Sequence, residues 1–194
     1  MKLFRVFSVL LIFILIAWVP MSCKKKYTPK PKAYFRIDFP QKEYKNWNLD
    51  FPFSFDRLSM TKIAKDQSRD AEKYWINIQY PEYRATIHLS YKTIDQNLEE
   101  YLEDSRKLAY KHSIVADAIA EQLYINPKEN VYGTIYRITG NAASSIQFTA
   151  TDSTKHFLRG ALYFKERPNR DSLAPVIKFI DKDIVRLIES LKWK

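Results

Sequence analysis

The sequence predicts an α+β domain: an antiparallel sheet of about five to seven strands covered by two or three helices. Three observations predict it. Hydrophobicity alternates with a period of two over several short runs. The period changes to that of a helix after residue 95 and again after residue 172. The segments between strand-like runs are mostly of hairpin length, too short for the crossovers that parallel strands need.

The elements follow in order. "AYFRIDFP", residues 33–40, sets Phe35, Ile37 and Phe39 against Tyr34, Arg36 and Asp38, and predicts a first strand on which Arg36 and Asp38 pair across the sheet. "DFPFSFD", residues 50–56, alternates again, and residues 66–70 are polar enough for a loop. "KYWINIQY" and "YRATIHLSYK", separated by Pro81 and Glu82, predict a hairpin. Asp95 is the expected cap of a helix carrying Leu98, Tyr101, Leu102, Ser105 and Ala109 on one face. "VADAIAEQLY", residues 115–124, is expected to continue it after a bend near Ser113. Strands resume at 131–139, 144–151 and 156–165, with turns at Gly140-Asn141 and Asp152-Ser153-Thr154. Ser172 is the expected cap of a last helix, with Pro175 in its first turn. Its apolar face runs from Val176 through Ile180, Ile184 and Leu187 to Leu191, as a helix that covers a sheet must.

Upstream of this domain the chain changes character. Lys2 and Arg5 precede an almost unbroken apolar run, residues 6–19. At about 1.5 Å per residue that run would be about 21 Å long as a helix, short for a bilayer core of about 30 Å. It has the form of the apolar region of a secretory signal peptide, and Ser22 then precedes Cys23, the only cysteine. Cys23 is therefore read as the lipid-attachment site and first residue of the mature protein, in preference to an incidental cysteine after an uncleaved anchor. A single acyl chain holds a protein marginally, whereas the two or three chains of a bacterial lipoprotein hold it firmly. The predicted organisation is a signal peptide over 1–22, a lipidated Lys/Pro-rich tether over 23–33 and a single globular domain over 34–194. The tether is expected to be extended, either a solvated spacer or a lysine-rich contact with anionic headgroups.

The formal net charge of +10 does not imply nucleic acid. Residues 1–32 hold seven Lys or Arg and no acid, leaving 25 basic against 22 acidic residues beyond them. A body so nearly balanced lacks the electrostatic footprint of a nucleic-acid binder. With three glycines in all, no phosphate-cradling loop or dinucleotide fingerprint can be assembled. No GxSxG or HExxH occurs, and the three histidines lie far apart, so no metal, cofactor or small-molecule substrate is expected. "TDSTKHFLRG" places Asp152, Ser153, His156 and Arg159 within eight residues. Ser153 as nucleophile with His156 as base is one reading, but Asp and Ser are what a hairpin turn uses, and the turn is preferred. The candidate interaction surface comprises Asn141, Asp152, Ser153, His156 and Arg159. Arg159 is the preferred single contact, because an exposed guanidinium suits an acidic partner.

The element order resembles the PsbP/Mog1-like fold. The lipoprotein signal together with "YFRIDFP", "ATIHLSYK", "ASSIQFTATDSTKHFLRGALYF" and "DSLAPVIKFIDKDIVRLIESLKWK" resembles the GldD family of gliding-motility lipoproteins of Bacteroidota. The resemblance covers nearly all of residues 23–194, and the family's lipid-bearing cysteine matches Cys23. It implies an envelope protein needed for gliding and the associated type IX secretion apparatus, with no enzymatic activity. The partners are then other gliding and secretion proteins of the envelope, and the membrane through an N-terminal lipid such as palmitate. The alternative is an envelope hydrolase acting on peptidoglycan or an ester. Lys24, Lys25 and Lys26, where surface-exported lipoproteins of that phylum tend to carry acids, place the domain in the periplasm.

Overall fold

The computed structural model describes residues 37–194, all but the side chain of Arg170. The signal peptide, Cys23, the tether and the start of the expected first strand lie outside the described residues. Ten strands form two antiparallel sheets. The larger has the order β3-β4-β5-β9-β8-β7-β6 and the smaller β1-β2-β10. The strands are β1 (Tyr44–Trp47), β2 (Phe53–Leu58), β3 (Lys62–Lys65), β4 (Ile76–Tyr80), β5 (Ala85–Thr93), β6 (Ala116–Asn126), β7 (Val131–Gly140), β8 (Ser144–Thr151), β9 (His156–Phe164) and β10 (Lys192–Trp193). Helix α1 (Leu98–Tyr110) lies between β5 and β6, and helix α2 (Arg170–Glu189) between β9 and β10. The α+β class and the helix-covered antiparallel sheet are as the sequence predicts.

The core lies on one face of the large sheet. Ile76, Ile78, Ile87 and Leu89 from the β4–β5 hairpin meet Ile146, Phe148, Leu158 and Leu162 from β8 and β9, all at most 2% exposed. Helix α2 closes this face with Ile180, Ile184, Leu187 and Ile188. Burying each such side chain is worth about 1.5–3 kcal/mol, so α2 and the sheet hold one another in place. Phe53 and Phe55 of β2 join the same cluster. Helix α1 lies on the opposite face, against β8 and β9, and buries only Ser105 and Ala109.

Several local expectations are corrected. Residues 37–43 carry no strand. Phe39 lies flat on Phe179 of α2, ring centroids 4.5 Å apart, so this segment packs against a helix instead of extending a sheet. Residues 116–126 form edge strand β6 rather than a helix, because pairing with β7 along its length overrides the helix preference of Ala, Glu, Gln and Leu. The short strand β3, which pairs with β4, had no sequence signal of its own. Asn97, not Asp95, precedes α1, and its Oδ1 accepts the Asp95 N–H at 2.9 Å. Asn169, not Ser172, caps α2 by accepting the Ser172 N–H at 3.3 Å, which places Pro175 beyond the first turn.

Gly160 is required by the ring opposite it. A Cβ there would lie 2.1 Å from Cε1 of Phe148, its cross-strand partner, whose ring is 1% exposed and has no room to move. Gly160→Ala is therefore expected to cost about 1–3 kcal/mol by overpacking, measured as a lowered urea midpoint at unchanged slope. An unchanged midpoint would show that the Phe148 contact yields freely.

Candidate interaction surface

Asp152 organises the turn between β8 and β9. Its Oδ1 accepts the backbone N–H groups of Thr154 at 3.0 Å, Lys155 at 2.8 Å and His156 at 2.8 Å, and Oδ2 accepts the Thr154 hydroxyl at 2.9 Å. Ser153 takes the left-handed conformation at the tip, φ 66°, and donates its N–H to Thr151 Oγ1. Burial by itself would raise the Asp152 carboxyl, but the donors of His156, Lys155 and Thr154 together hold it down at about 2.

A depressed folded-state pKa contributes stability above the unfolded value of 3.8 and loses it as pH falls through about 2. At about 1.36 kcal/mol per pKa unit, and halved for partial exposure, the contribution is about 1 kcal/mol. Asp152→Asn should thus be about 1 kcal/mol less stable than the parent at pH 7. The gap should close between pH 3.8 and about 2 in urea titrations. A gap independent of pH would contradict this account.

His156, at the start of β9, is held on two sides. The Tyr91 hydroxyl and His156 Nδ1 share a hydrogen bond of 2.7 Å. The imidazole stacks on Trp193 with centroids 5.2 Å apart and planes 5° apart, while Trp193 donates its Nε1–H to the Asn130 carbonyl at 3.0 Å. Burial lowers the His156 pKa, with Asp152 opposing and Lys155 adding to it, so the ring favours its neutral form. Around His156 and Trp193 opens a depression of about 640 Å³ lined by Lys128, Lys155, Lys192 and Lys194, with Glu129 and Asp152 also on its wall. All four lysines are exposed. Lys194 donates to the Leu49 carbonyl at 2.6 Å; among the described residues Lys128, Lys155 and Lys192 form no ion pair. The result is an aromatic floor with a cationic rim.

The structure brings Asp152, Ser153 and His156 together here and places the other two candidates elsewhere. Asn141 lies in the turn between β7 and β8, at the opposite end of the meander. Arg159 does not stand exposed, as expected, but is partly buried on the face that α1 covers, donating from Nη2 to Gln147 Oε1 at 2.5 Å. His156 has its Nδ1 committed to Tyr91, and Ser153 is exposed at the turn tip, so the pair is not arranged as base and nucleophile. Among the described residues no three His, Cys, Asp or Glu side chains converge as metal ligands.

Sequence reasoning missed a buried polar knot. Asp183, 4% exposed on the inner face of α2, accepts hydrogen bonds from Lys42 Nζ and from the Tyr44 hydroxyl at 2.7 Å on Oδ1. The Tyr80 hydroxyl reaches Oδ2 at 3.2 Å. Lys42 also donates to the Phe179 carbonyl at 2.6 Å and lies over the Phe179 ring. The available signal was an acid three residues after Ile180, at an inward position of an otherwise apolar face.

Over residues 24–193 the chain matches the family model described as Gliding motility lipoprotein GldD. In fold it is similar to cyanobacterial PsbP (CyanoP) from Synechocystis sp. PCC 6803, known from a solution structure, with a TM-score of 0.50 and 9% identity. That likeness covers 86% of this chain and 100% of the other, and at such identity it shows the fold alone. No curated protein matches the chain.

Proposed function

The chain belongs to the GldD family of gliding motility lipoproteins, and on that premise we propose that it is an accessory subunit of the cell envelope that acts by docking to other proteins. The match over residues 24–193 carries this reading, because it spans the tether and the whole described domain. In the proposal Cys23 bears the lipid, the lysine-rich tether spaces the domain from the membrane, and the domain faces the periplasm. Its partners belong to the gliding and type IX secretion machinery. The hydrolase reading finds no support in Ser153 and His156, whose surroundings serve the turn and the Trp193 stack.

The docking face proposed is the lysine-rimmed depression around Trp193. Loops on a rigid scaffold carry recognition, aromatic residues anchor interfaces, and unpaired cations select an acidic partner. The test is Lys128→Glu combined with Lys155→Glu and Lys192→Glu in cells lacking the parent gene. These exposed positions leave folding untouched, so the variant should be abundant, lipidated and folded by circular dichroism. Capture of envelope partners should fall about tenfold or more, with loss of gliding. A folded triple variant that glides and captures partners normally would refute this docking face.

A further inference from the structure

The polar face of the large sheet holds a cation with no anion. Thr149 and Arg159 are directly opposite on β8 and β9, and Gln147 lies two residues along on the same face. Gln147 and Thr149 are each 2% exposed. The guanidinium Nη2 is bonded to Gln147 Oε1, yet Arg159 Nε, Gln147 Nε2 and Thr149 Oγ1 are all enclosed and have no hydrogen-bond partner. Three polar groups on adjacent side chains of one sheet face therefore stand unsatisfied. Each buried group left so opposes folding, and a buried charge without a counter-ion opposes it more.

Among the described residues no carboxylate pairs with Arg159; the Tyr163 phenol, a weak acid, is the group that supports its charge. Glu99, Glu100, Glu103 and Asp104 of α1 are exposed, and the last two flank Lys107. The titratable neighbour on that side is His112, whose pKa is lowered by burial and then by the Arg159 and Lys111 charges, so it favours its neutral form. The cover is thin, since α1 buries only Ser105 and Ala109, and the turn that follows it carries Ile114 at 92% exposure. Beyond those two side chains α1 is held by Tyr101, whose ring packs on Phe157 with centroids 5.3 Å apart, and by the Tyr110 hydroxyl donating to Glu121 Oε1, so few contacts must break for it to lift.

We infer that the face of strands β8–β9 covered by α1 is a carboxylate-binding site, with Arg159 Nε, Gln147 Nε2 and Thr149 Oγ1 as its donors. Charge selects the class. One guanidinium balances a monoanion, whereas a phosphate dianion would leave a negative charge buried. The carboxylate is that of a small acid, admitted as α1 lifts. The site stands or falls independently of the lysine-rimmed face.

The experiment follows the Arg159 Nε–H resonance in the full-length chain, ¹⁵N-labelled on arginine, in detergent micelles. Sodium acetate is titrated against sodium chloride at constant ionic strength, with sodium phosphate as a further arm. Acetate should move the resonance saturably and chloride should not. Gln147→Leu, or Thr149→Val should the first fail to fold, should raise the half-saturating acetate concentration about tenfold, the loss of one charge-assisted hydrogen bond. An acetate response no larger than that to chloride would overturn the site. So would saturation unchanged in the variant, tighter binding of phosphate, or Nε–H contact with an ordered water only.

Discussion

Asp183→Ala is expected to destabilise the domain by about 3–5 kcal/mol, the largest loss of any single substitution considered. The carboxylate serves three donors, Lys42 Nζ and the hydroxyls of Tyr44 and Tyr80, all inside the layer between α2 and the sheets. Removing it leaves an ammonium and two hydroxyls without their acceptor, and burial already lowers the Lys42 pKa against the pull of Asp183. In a domain of this size the loss should lower the melting temperature by about 10 °C. A fourfold replacement separates the charge from the packing: Lys42→Met, Tyr44→Phe and Tyr80→Phe with Asp183→Leu should recover most of the stability, because apolar side chains of similar volume replace a whole buried polar cluster well. The consequence for architecture is specific. Asp183 and Phe179 together fix residues 39–44 against α2, so the segment leading in from the tether is anchored to the core. A melting temperature unchanged in Asp183→Ala would mean that solvent already serves the three donors.

Cys23→Ala is expected to abolish lipid attachment. Each buried methylene of an acyl chain contributes about 0.8 kcal/mol, and two or three chains make attachment close to permanent. The tether lysines add only about 1 kcal/mol each at an anionic surface, screened over a Debye length. No residue beyond Cys23 can replace the lipid thiol, since the sequence contains no other cysteine. The variant should accumulate as an uncleaved or mislocalised precursor, and gliding should fail although the domain folds. Mass spectrometry of the mature N-terminus gives the parallel result for the parent chain: an acylated Cys23. An unmodified Cys23, or cleavage elsewhere, would contradict the assignment.

Periodicity made the β4–β5 hairpin, the β7–β9 meander and the face of α2 legible, because each is set by burial on one side. Strand β6 was not, since it is an edge strand with Leu123 and Ile125 at 72% and 67% exposure, and its composition favours helix. Contact with β7 decides its conformation, and such a contact leaves no local trace. The turn role of Asp152 and Ser153 was readable because Asx chemistry is local. Trp193 and the lysines around His156 come together only through chain segments far apart in sequence. Arg159 was read as exposed because alternation assigned the polar face of β8 and β9 to solvent, and only the position of α1 shows that face covered. Gln147 and Thr149 are buried on that face with it.

The central claim, a docking subunit that works through the lysine-rimmed face, is tested most directly by lysine-reactive crosslinking in intact cell envelopes, with the crosslinked positions read by mass spectrometry. The expected result is links from Lys128, Lys155 or Lys192 to lysines beside acidic segments of another envelope protein, more frequent than links from exposed lysines elsewhere on the domain. Links confined to lysines away from that face, or no link to any other protein while the tether lysines react normally, would contradict it.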